Sequence, residues 1–278
     1  MKIVVALRDG PNQTNVRSEC ILESLEAEGH TVKRIARSEI VKGADLLIQT
    51  GFAGSNALRS QIDQRMPYLI MEAPFWRDYY DVHDSSSWGY NGLAGGAWAP
   101  LPPDEERPKP VLQPMKAGTG PTILIGQKPT DHSLRGSDHV GWITQVRAEV
   151  PDATFRPHPL MVPPGTLEPL ETVLERTHKV ITYTSTVGCE ALVAGCEVRA
   201  DHPYNLAYGI TGDGRAEWHH TLSWRQSTHD NFGELTRHIL WGYPEARARA
   251  NEDLVEHPRE KVRSKQQEQG YYKLIRGA

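Results

Sequence analysis

Short apolar segments that end in turn-forming residues alternate with segments of helical periodicity along most of the chain. The first apolar segment is KIVVAL (2–7), and the polar turn RDGPNQTN leads from it into VRSECILESLEAEGH, whose apolar residues recur at helical spacing. The segments HTVKRIA, GADLLIQTGF and PYLIMEAPF predict three further strands, and SNALRSQIDQRM predicts a second helix. Strands that alternate with helices favour an α/β fold with a parallel sheet, in which ligands bind at the carboxyl ends of the strands.

The same alternation starts again after a long aperiodic stretch. Residues 76–120 are rich in aromatic residues, glycine and proline, so we expect a loop that ends in an interdomain connection from Pro100 to Pro121. Beyond it, PTILIGQ, ATFRPHP, HKVITYTS and CEVRAD predict strands, and DHVGWITQVRAEVP, TLEPLETVLERT and TVGCEALVAG predict helices. The Trp-rich segment 217–257 is predicted to be helical, and it could cross back to pack on the first domain. We therefore expect α/β domains at 1–110 and 121–215, followed by a helical segment at 216–278.

Composition and the absence of certain motifs indicate the cellular compartment and the cofactors that we expect. The chain has 278 residues, of which 38% are apolar, and this is enough material for two modest cores. Its three cysteines make no even disulfide framework, which favours a reducing cytoplasm. No apolar run approaches the roughly 18 residues of a membrane span, so we expect a soluble protein with no membrane partner. The sequence has no DxD, HExxH or CxxC pattern, and we therefore expect neither a metal site nor a resident cofactor.

The charge distribution bears on the class of partner. A formal net charge of -4 argues against a surface built as a whole for polyanions. The tail from Arg259 to Arg276 is locally basic, with six Lys or Arg residues against two Glu, and it includes Tyr271 and Tyr272. This tail is typical of a solvated helix end, although a local basic patch is compatible with it.

Three predicted strand ends in the second half carry polar residues. They are Gly126-Gln127, the segment Arg156-Pro157-His158-Pro159, and the run Thr184-Ser185-Thr186. Because the carboxyl ends of parallel strands meet at one edge of a sheet, these groups are expected to converge there. His158 lies between two prolines, which excludes it from a regular helix and holds its backbone rigid.

The run Thr184-Ser185-Thr186 precedes a helix made almost wholly of small residues. The first turn of a helix leaves N–H donors unpaired and carries positive partial charge, so this run predicts a cradle for a phosphate or diphosphate. Glu190, one turn into the helix, could accept hydrogen bonds from sugar hydroxyls. The alternative is a capped core helix with no ligand, and for the hydroxyl run taken alone that alternative is favoured.

The segments FRPHP and VITYTSTVGCEALVAGCEV together resemble the nucleotide-binding half of GT-B-type glycosyltransferases, especially the capsule-type and sialyltransferase-like groups. They are also similar to uncharacterised phage-encoded members of this class. The resemblance implies two Rossmann-like domains with a cleft between them, a nucleotide sugar bound by the second domain, an acceptor bound by the first, and no required metal. A phage-encoded enzyme would act in the host cytoplasm. The chain departs from the GLNG pattern of such loops by having Gly92-Leu93-Ala94-Gly95.

Transfer to a hydroxyl group also needs a general base, because an alcohol is a weak nucleophile until its proton is removed. We expect the base in the first half of the chain, and Asp9 and Asp81 are the leading candidates. Three further carboxylates and one imidazole lie at or after the end of the fourth predicted strand: Glu72, Asp78, His83 and Asp84. Each of these residues, taken singly, is also compatible with a solvated loop. The aromatic loop after them is expected to stack on a flat ligand ring.

Several functions remain compatible with these features. The leading hypothesis is a glycosyltransferase whose acceptor is a hydroxymethylated pyrimidine in phage DNA. A surface polysaccharide or lipid-linked sugar is the rival acceptor, which the negative net charge favours. A nucleotide-sugar epimerase or hydrolase, and a non-catalytic nucleotide-binding protein, could use the same fold.

Overall fold

A computed structural model describes residues 1–8, 13–51, 55–75, 85–92, 112–118, 120–134, 137–202, 205–223, 225–228, 232–250 and 265–276. The chain divides into two compact units. Unit 1 comprises Met1–Pro108 and His220–Glu260, and unit 2 comprises Lys109–His219 and Lys261–Ala278. The domain boundaries expected from the sequence remain predictions. The α/β class with parallel sheets is confirmed.

Unit 1 is built on a six-stranded sheet whose strand order is β10-β5-β4-β3-β1-β2. The strands β1 to β4 are mutually parallel. Beside them, β5 pairs antiparallel with β4, and β10 pairs antiparallel with β5. Two helices, α1 and α7, cover one face, and α2 covers the other. The elements are β1 (Lys2–Leu7), α1 (Gln13–Ala27), β2 (Thr31–Ala36), β3 (Leu46–Thr50), α2 (Asn56–Asp63), β4 (Tyr68–Glu72), β5 (Ser85–Tyr90), β10 (Gln226–Thr228) and α7 (Phe232–Arg249).

Unit 2 has a four-stranded parallel sheet of order β7-β6-β8-β9. Alternate residues of its strands face opposite sides. Ile123, Ile125 and Val180 pack with α4 and α5, whereas Leu124 and Ile181 pack with α3 and α8. The elements are β6 (Thr122–Ile125), α3 (His139–Glu149), β7 (Thr154–Arg156), α4 (Leu170–Arg176), β8 (Lys179–Thr182), α5 (Val187–Val193), β9 (Glu197–Ala200) and α8 (Lys265–Arg276). Helix α6 (Arg215–Ser223) contains the boundary between the units, which falls after His219.

The parallel parts of the two sheets have the same strand order. In each, the first strand is flanked by the second on one side and by the third on the other, and the fourth lies beyond the third. The connections after the first and third strands therefore run in opposite directions. This topological switch point is where open α/β sheets bind their ligands. In unit 2 it lies between the ends of β6 and β8.

Two strands lie where the sequence predicted a loop and a helix. Residues 85–90 of the expected aromatic loop form β5, whose Trp88 and Tyr90 are buried in the core of unit 1. The prediction that these rings stack on a ligand is therefore wrong, because both are covered by protein. Residues 226–228, expected to be helical, form β10 and pair with β5. The sequence of β5, SSSWGY, has no alternation of apolar and polar residues. This strand therefore cannot be recognised from the sequence without the distant segment that pairs with it.

The C-terminal segment contributes to both units. Helix α7 belongs to unit 1, where Ile239 and Ala246 join the core cluster of α1. Helix α8 belongs to unit 2, where Tyr271 is fully buried against α3 and the sheet. The expected helical segment 216–278 is thus divided between two cores, and its last helix is a structural part of unit 2.

Candidate functional site

The switch point of unit 2 is closed by one hydrogen-bonded group. Gln127 follows β6 and Thr184 follows β8; the Gln127 side-chain oxygen accepts from the Thr184 N–H at 2.8 Å, and its amide nitrogen donates to the Thr184 hydroxyl at 2.9 Å. Ser133 completes the group, because its hydroxyl lies 2.7 Å from that of Thr184. Gln127 is only 3% exposed. These hydrogen bonds hold the two strand ends together, and the expected contact of Gln127 and Thr184 with a ligand stays a prediction.

His139, the first residue of α3, supports the same strand end. Its Nε2 accepts a hydrogen bond from the Gln127 N–H at 3.0 Å, which requires an unprotonated Nε2. Burial lowers the pKa of His139 to about 4, although the nearby Asp138 carboxylate opposes this shift. The imidazole stacks on the ring of Trp142, with centroids 5.2 Å apart. It therefore serves as a neutral acceptor within the fold.

Tyr271 of α8 fixes the end of β7 over the end of β6. Its hydroxyl accepts a hydrogen bond from the His158 N–H at 3.1 Å, and burial raises the pKa of Tyr271 to about 12. Gly126 lies directly beneath, since a Cβ atom there would be 2.2 Å from the Tyr271 oxygen. Gly126 is therefore required for the approach of the Tyr271 side chain, and its predicted contact with a ligand stays a prediction.

The His158 ring is oriented by its own turn. Its Nδ1 accepts from the Leu160 N–H at 3.1 Å, capping the short 3₁₀ turn Pro159–Met161. The neutral ring then carries its proton on Nε2. The Pro-His-Pro segment is thus held by two hydrogen bonds, one from the His158 N–H to Tyr271 and one from the Leu160 N–H to the His158 ring.

Arg156, the last residue of β7, is directed toward the loop that precedes α4. One of its terminal nitrogens donates to the Glu168 carbonyl at 2.7 Å. Burial lowers the pKa of Arg156, and the charges of Glu168 and Glu171 partly offset this shift. Arg156 thus lies beside the His158 segment, and one of its donors is used within the loop.

The start of α5 differs from the expected anion cradle. The Val187 N–H donates to the Ser185 hydroxyl at 3.3 Å, the Gly188 N–H to the Ser185 carbonyl at 3.1 Å, and the Cys189 N–H to the Thr186 carbonyl at 2.8 Å. The Glu190 N–H also reaches the Thr186 carbonyl, at 3.4 Å. The N–H groups of Val187, Gly188 and Cys189, which were expected to be unpaired, therefore have partners within the turn, and the phosphate cradle stays a prediction. The exposed Thr186 and the half-buried Ser185 and Glu190 remain predicted ligand contacts.

Asn205 explains both the loop and the small residues of α5. Its side-chain nitrogen donates to the carbonyls of Tyr183 and Ser185, at 3.1 and 3.3 Å. A Cβ on Gly188 would lie 3.1 Å from both the Asn205 side-chain oxygen and the Ala207 Cβ. The turn at 205–207 therefore packs onto α5, and it holds Ser185 and Thr186 in place.

Sequence reasoning missed Ser133, His139, Asn205 and Tyr271. Ser133 and His139 follow a strand that was recognised, and their place between a strand end and a helix start was a usable signal. Asn205 and Tyr271 lie far along the chain from the residues that they hold, so no local pattern could reveal them.

The predicted bases Asp9 and Asp81 lie outside the described residues, as do Asp78, His83 and Asp84. Glu72 is described and is the last residue of β4. Within the described ranges, no group of three His, Cys, Asp or Glu side chains is arranged to hold a metal ion. No helix in this part of the chain is long and apolar enough to cross a membrane.

Comparisons with known proteins give a fold likeness. No protein-family model matches the sequence, and no curated protein matches it. Among solved structures, the Thermosulfurimonas dismutans KpsC β-Kdo 2,4 transferase is 14% identical, with a TM-score of 0.51 over 86% of this chain and 98% of that chain. The β-Kdo 2,7 transferase of the same organism is also 14% identical, with a TM-score of 0.48 over 85% of this chain and 99% of that one. The chain therefore has a glycosyltransferase-like fold.

Proposed function

We propose that this protein is a glycosyltransferase that uses a nucleotide-sugar donor. The observation that supports this most is the fold likeness to a β-Kdo 2,4 transferase, which spans 86% of this chain and so includes residues of both units. The likeness concerns the fold, and the reaction is our inference from it. In this proposal the two units are the Rossmann-like pair of a GT-B enzyme, with the donor bound by unit 2 and the acceptor by unit 1.

The donor is proposed to bind at the carboxyl edge of unit 2. Thr186 is exposed there, and Ser185 and His158 are half-buried, so hydroxyl and imidazole donors are available at neighbouring strand ends. The group formed by Gln127, Thr184 and Ser133 is already hydrogen-bonded internally, which keeps these strand ends rigid before a ligand arrives. Negative charge on the leaving nucleotide would be met by Arg156, His158 and the two hydroxyl groups.

Two acceptor classes belong to this proposal. A hydroxymethylated pyrimidine in DNA was the leading expectation, and a saccharide was its rival. The fold likeness to a sugar transferase and the net charge of -4 both favour the saccharide. A DNA acceptor predicts duplex binding that weakens steeply with salt, and a saccharide acceptor predicts none.

Calorimetric titration with a panel of nucleoside mono- and diphosphates tests the donor site. We expect binding of at least one nucleotide, and Thr186→Val and His158→Gln should each weaken it by about tenfold, since each removes one charge-assisted hydrogen bond. Thr144→Val is the matched control, because Thr144 is exposed on α3 and its hydroxyl donates to its own helix. Absence of binding by the whole panel contradicts the proposal.

Product analysis with nucleotide sugars separates the remaining enzyme classes. A glycosyltransferase requires an acceptor for full consumption of the donor. An epimerase or hydrolase consumes the donor alone, and a non-catalytic binder consumes none. Either of the latter two results would replace the proposed activity.

A further inference from the structure

A second polar constellation lies at the carboxyl edge of the sheet in unit 1. The four parallel strands lie in the spatial order β2, β1, β3, β4. Arg37, Arg8 and Gly51 directly follow β2, β1 and β3, and Glu72 is the last residue of β4. Gly51 lies at the centre of this row. A Cβ atom placed on it would be 3.7 Å from Nη2 of Arg8, 3.9 Å from Nη2 of Arg37 and 3.9 Å from Oε1 of Glu72. Two guanidinium groups and a carboxylate therefore converge above one glycine at the switch point between β1 and β3.

The backbone beneath these groups is held in place. The Gly51 N–H donates to the Met71 carbonyl at 2.8 Å, and its carbonyl accepts from the Gln49 side chain at 2.8 Å. The φ angle of Gly51 is +78°, which a residue with a side chain rarely adopts. This backbone conformation accounts for glycine at position 51.

A third arginine approaches from α1. Arg17 is half-buried, and its Nε donates to the Ser85 carbonyl at 3.4 Å. The next residue, Ser18, places its hydroxyl 2.5 Å from that of Thr50, so this part of α1 is tied to the end of β3. Burial lowers the pKa of Arg17, and the Glu72 carboxylate opposes this shift, which places both charges in one electrostatic environment.

Arg37 shows that the cluster is incomplete. It is only 9% exposed, and its Nε is buried without a hydrogen-bond partner among the residues that the structure describes. Its pKa is lowered to about 10, first by burial and then by the positive charge of Arg8, while Glu72 acts in the opposite direction. A buried guanidinium N–H without a partner is costly, and a neighbouring cation adds to that cost. An anion placed above Gly51 would accept a hydrogen bond from Arg37 and would reduce the repulsion between Arg37 and Arg8.

We propose that Arg8 and Arg37 bind the carboxylate or phosphate of an acidic saccharide. The fork of a guanidinium matches the two oxygens of either group. Glu72 supplies a carboxylate that accepts hydrogen bonds from sugar hydroxyls next to the anion. The role of this saccharide as the acceptor rests on the proposed function, whereas the binding site itself does not.

A saccharide fits this cluster better than a nucleic acid does. A nucleic-acid surface neutralises many phosphates with basic residues spread over one face. Here the cations surround one point, a carboxylate lies among them, and the whole chain carries a net charge of -4. The geometry suits one oxyanion with hydroxyl groups beside it.

Titration calorimetry of the full chain without nucleotide tests the site. Galacturonate and inorganic phosphate are the two oxyanion probes, and galactose is the neutral control. We expect both anions to bind and galactose to bind at least tenfold more weakly. Arg8→Gln and Arg37→Gln should each weaken anion binding about tenfold or more, because each removes a charge-assisted interaction. Binding of neither anion overturns the proposal.

Arg34→Gln is the matched control, since it removes the same charge from an exposed position on β2. Anion affinity that is unchanged in Arg8→Gln, or equally reduced in Arg34→Gln, contradicts the site. Arg8 is exposed, so its variant remains informative if Arg37→Gln fails to fold. Stronger binding of a DNA duplex than of either anion, lost in Arg8→Gln, overturns the saccharide assignment. The panel of nucleotides is titrated separately, so failure at unit 1 is distinguishable from failure of the donor site in unit 2.

Discussion

Gly126 carries no side chain because Tyr271 occupies the space that a Cβ atom would need. The hydroxyl of that tyrosine would lie 2.2 Å from the added carbon, and the ring of Phe155 would lie 2.9 Å from it. Neither contact can relax without moving α8 or β7. The glycine at the end of β6 is thus explained by the packing of a residue almost 150 positions later in the chain.

Gly126→Ala should lower the free energy of unfolding by about 1–3 kcal/mol, the usual range for overpacking, as measured by urea denaturation. Gly214→Ala is the control, since a Cβ atom there meets nothing within 4 Å. Adding Tyr271→Phe removes the closest contact, so the double variant should lose less than the sum of the two single losses. A Gly126→Ala protein as stable as the wild type would contradict this packing.

His139 makes stability depend on pH in a defined window. Burial lowers its pKa to about 4 in the folded protein, whereas a histidine in an unfolded chain titrates near 6.5. Between these values the unfolded chain binds a proton that the folded protein does not bind, so stability rises with pH. The contribution of His139 is fully present above pH 6.5, and it is lost as the pH falls toward 4.

The free energy of unfolding should fall by up to about 3 kcal/mol between pH 7 and pH 4 through this group alone. Urea denaturation of the wild type and of His139→Gln at several pH values isolates the effect, because the variant lacks the titrating ring. Equal pH dependence of the two proteins would show that His139 is not held neutral by burial.

At the scale of elements, α8 is the least expected part of unit 2. It lies at the end of the chain, in a segment that the sequence predicts as a solvated basic tail. In the structure, Tyr271 is fully buried, and Leu274 and Ile275 pack against the core formed with α3. Its charged residues therefore belong to one face of an amphipathic helix.

Leu274→Asp should destabilise unit 2 by about 2–4 kcal/mol, because it places a charge among apolar side chains. Tyr272→Asp is the matched control on the same helix, since Tyr272 is 43% exposed. Circular dichroism during thermal denaturation measures both. Equal effects of the two substitutions would contradict the docking of α8 by one face.

Helix α5 shows why a run of small residues need not mark a phosphate site. Gly188 admits the turn at 205–207, and a Cβ on Gly195 would lie 2.1 Å from the Pro114 carbonyl oxygen. The guanidinium of Arg215, which is 7% exposed, donates to the Leu192 carbonyl at 2.7 Å and satisfies the carboxyl end of the helix. The turn at 205–207 therefore covers one side of this seven-residue helix, and Pro114 and Arg215 cover its carboxyl end, whereas Thr186 at its amino end is exposed.

At the scale of the whole molecule, the proposals place two ligands at equivalent positions of two sheets with the same strand order. The nucleotide is assigned to the ends of β6 and β8, and the acidic saccharide to the ends of β1 and β3. The two positions differ in chemistry: unit 2 offers hydroxyl groups, a histidine and Arg156, whereas unit 1 offers guanidinium groups and Glu72.

Hydrogen exchange should separate the two ligands. A bound nucleotide is expected to protect residues 127–134 and 183–190, and galacturonate is expected to protect residues near Arg37 and Gly51, because each ligand restrains the strand ends that it contacts. Peptides from the outer ends of the same strands serve as internal controls. Protection of unit 1 by the nucleotide alone would reverse the assignment of the two sites.

The alternation of apolar and helical segments was sufficient to predict most elements of both sheets, from β1 to β4 and from β6 to β9. Such elements depend on local periodicity, which is a property of the sequence itself. The strands β5 and β10 escaped prediction because Ser85–Tyr90 and Gln226–Thr228 have no such pattern and are strands only through pairing with each other and with β4. The candidate site in unit 2 was predicted in part for the same reason. Residues next to a strand end were found from the local pattern, and residues that reach the site from elsewhere in the chain were not.

The sequence by itself determined which polar residues follow each strand, and hence that Gln127, His158 and Thr184 lie along one edge of unit 2. Only the tertiary structure decided what those residues bind, because Tyr271, Asn205 and His139 reach them from other parts of the chain and use hydrogen bonds that a ligand could otherwise take. The convergence of Arg8, Arg37 and Glu72 above Gly51 could not be predicted from the sequence either. Strand order, which sets the neighbours of each strand end, is established only when the whole sheet has formed.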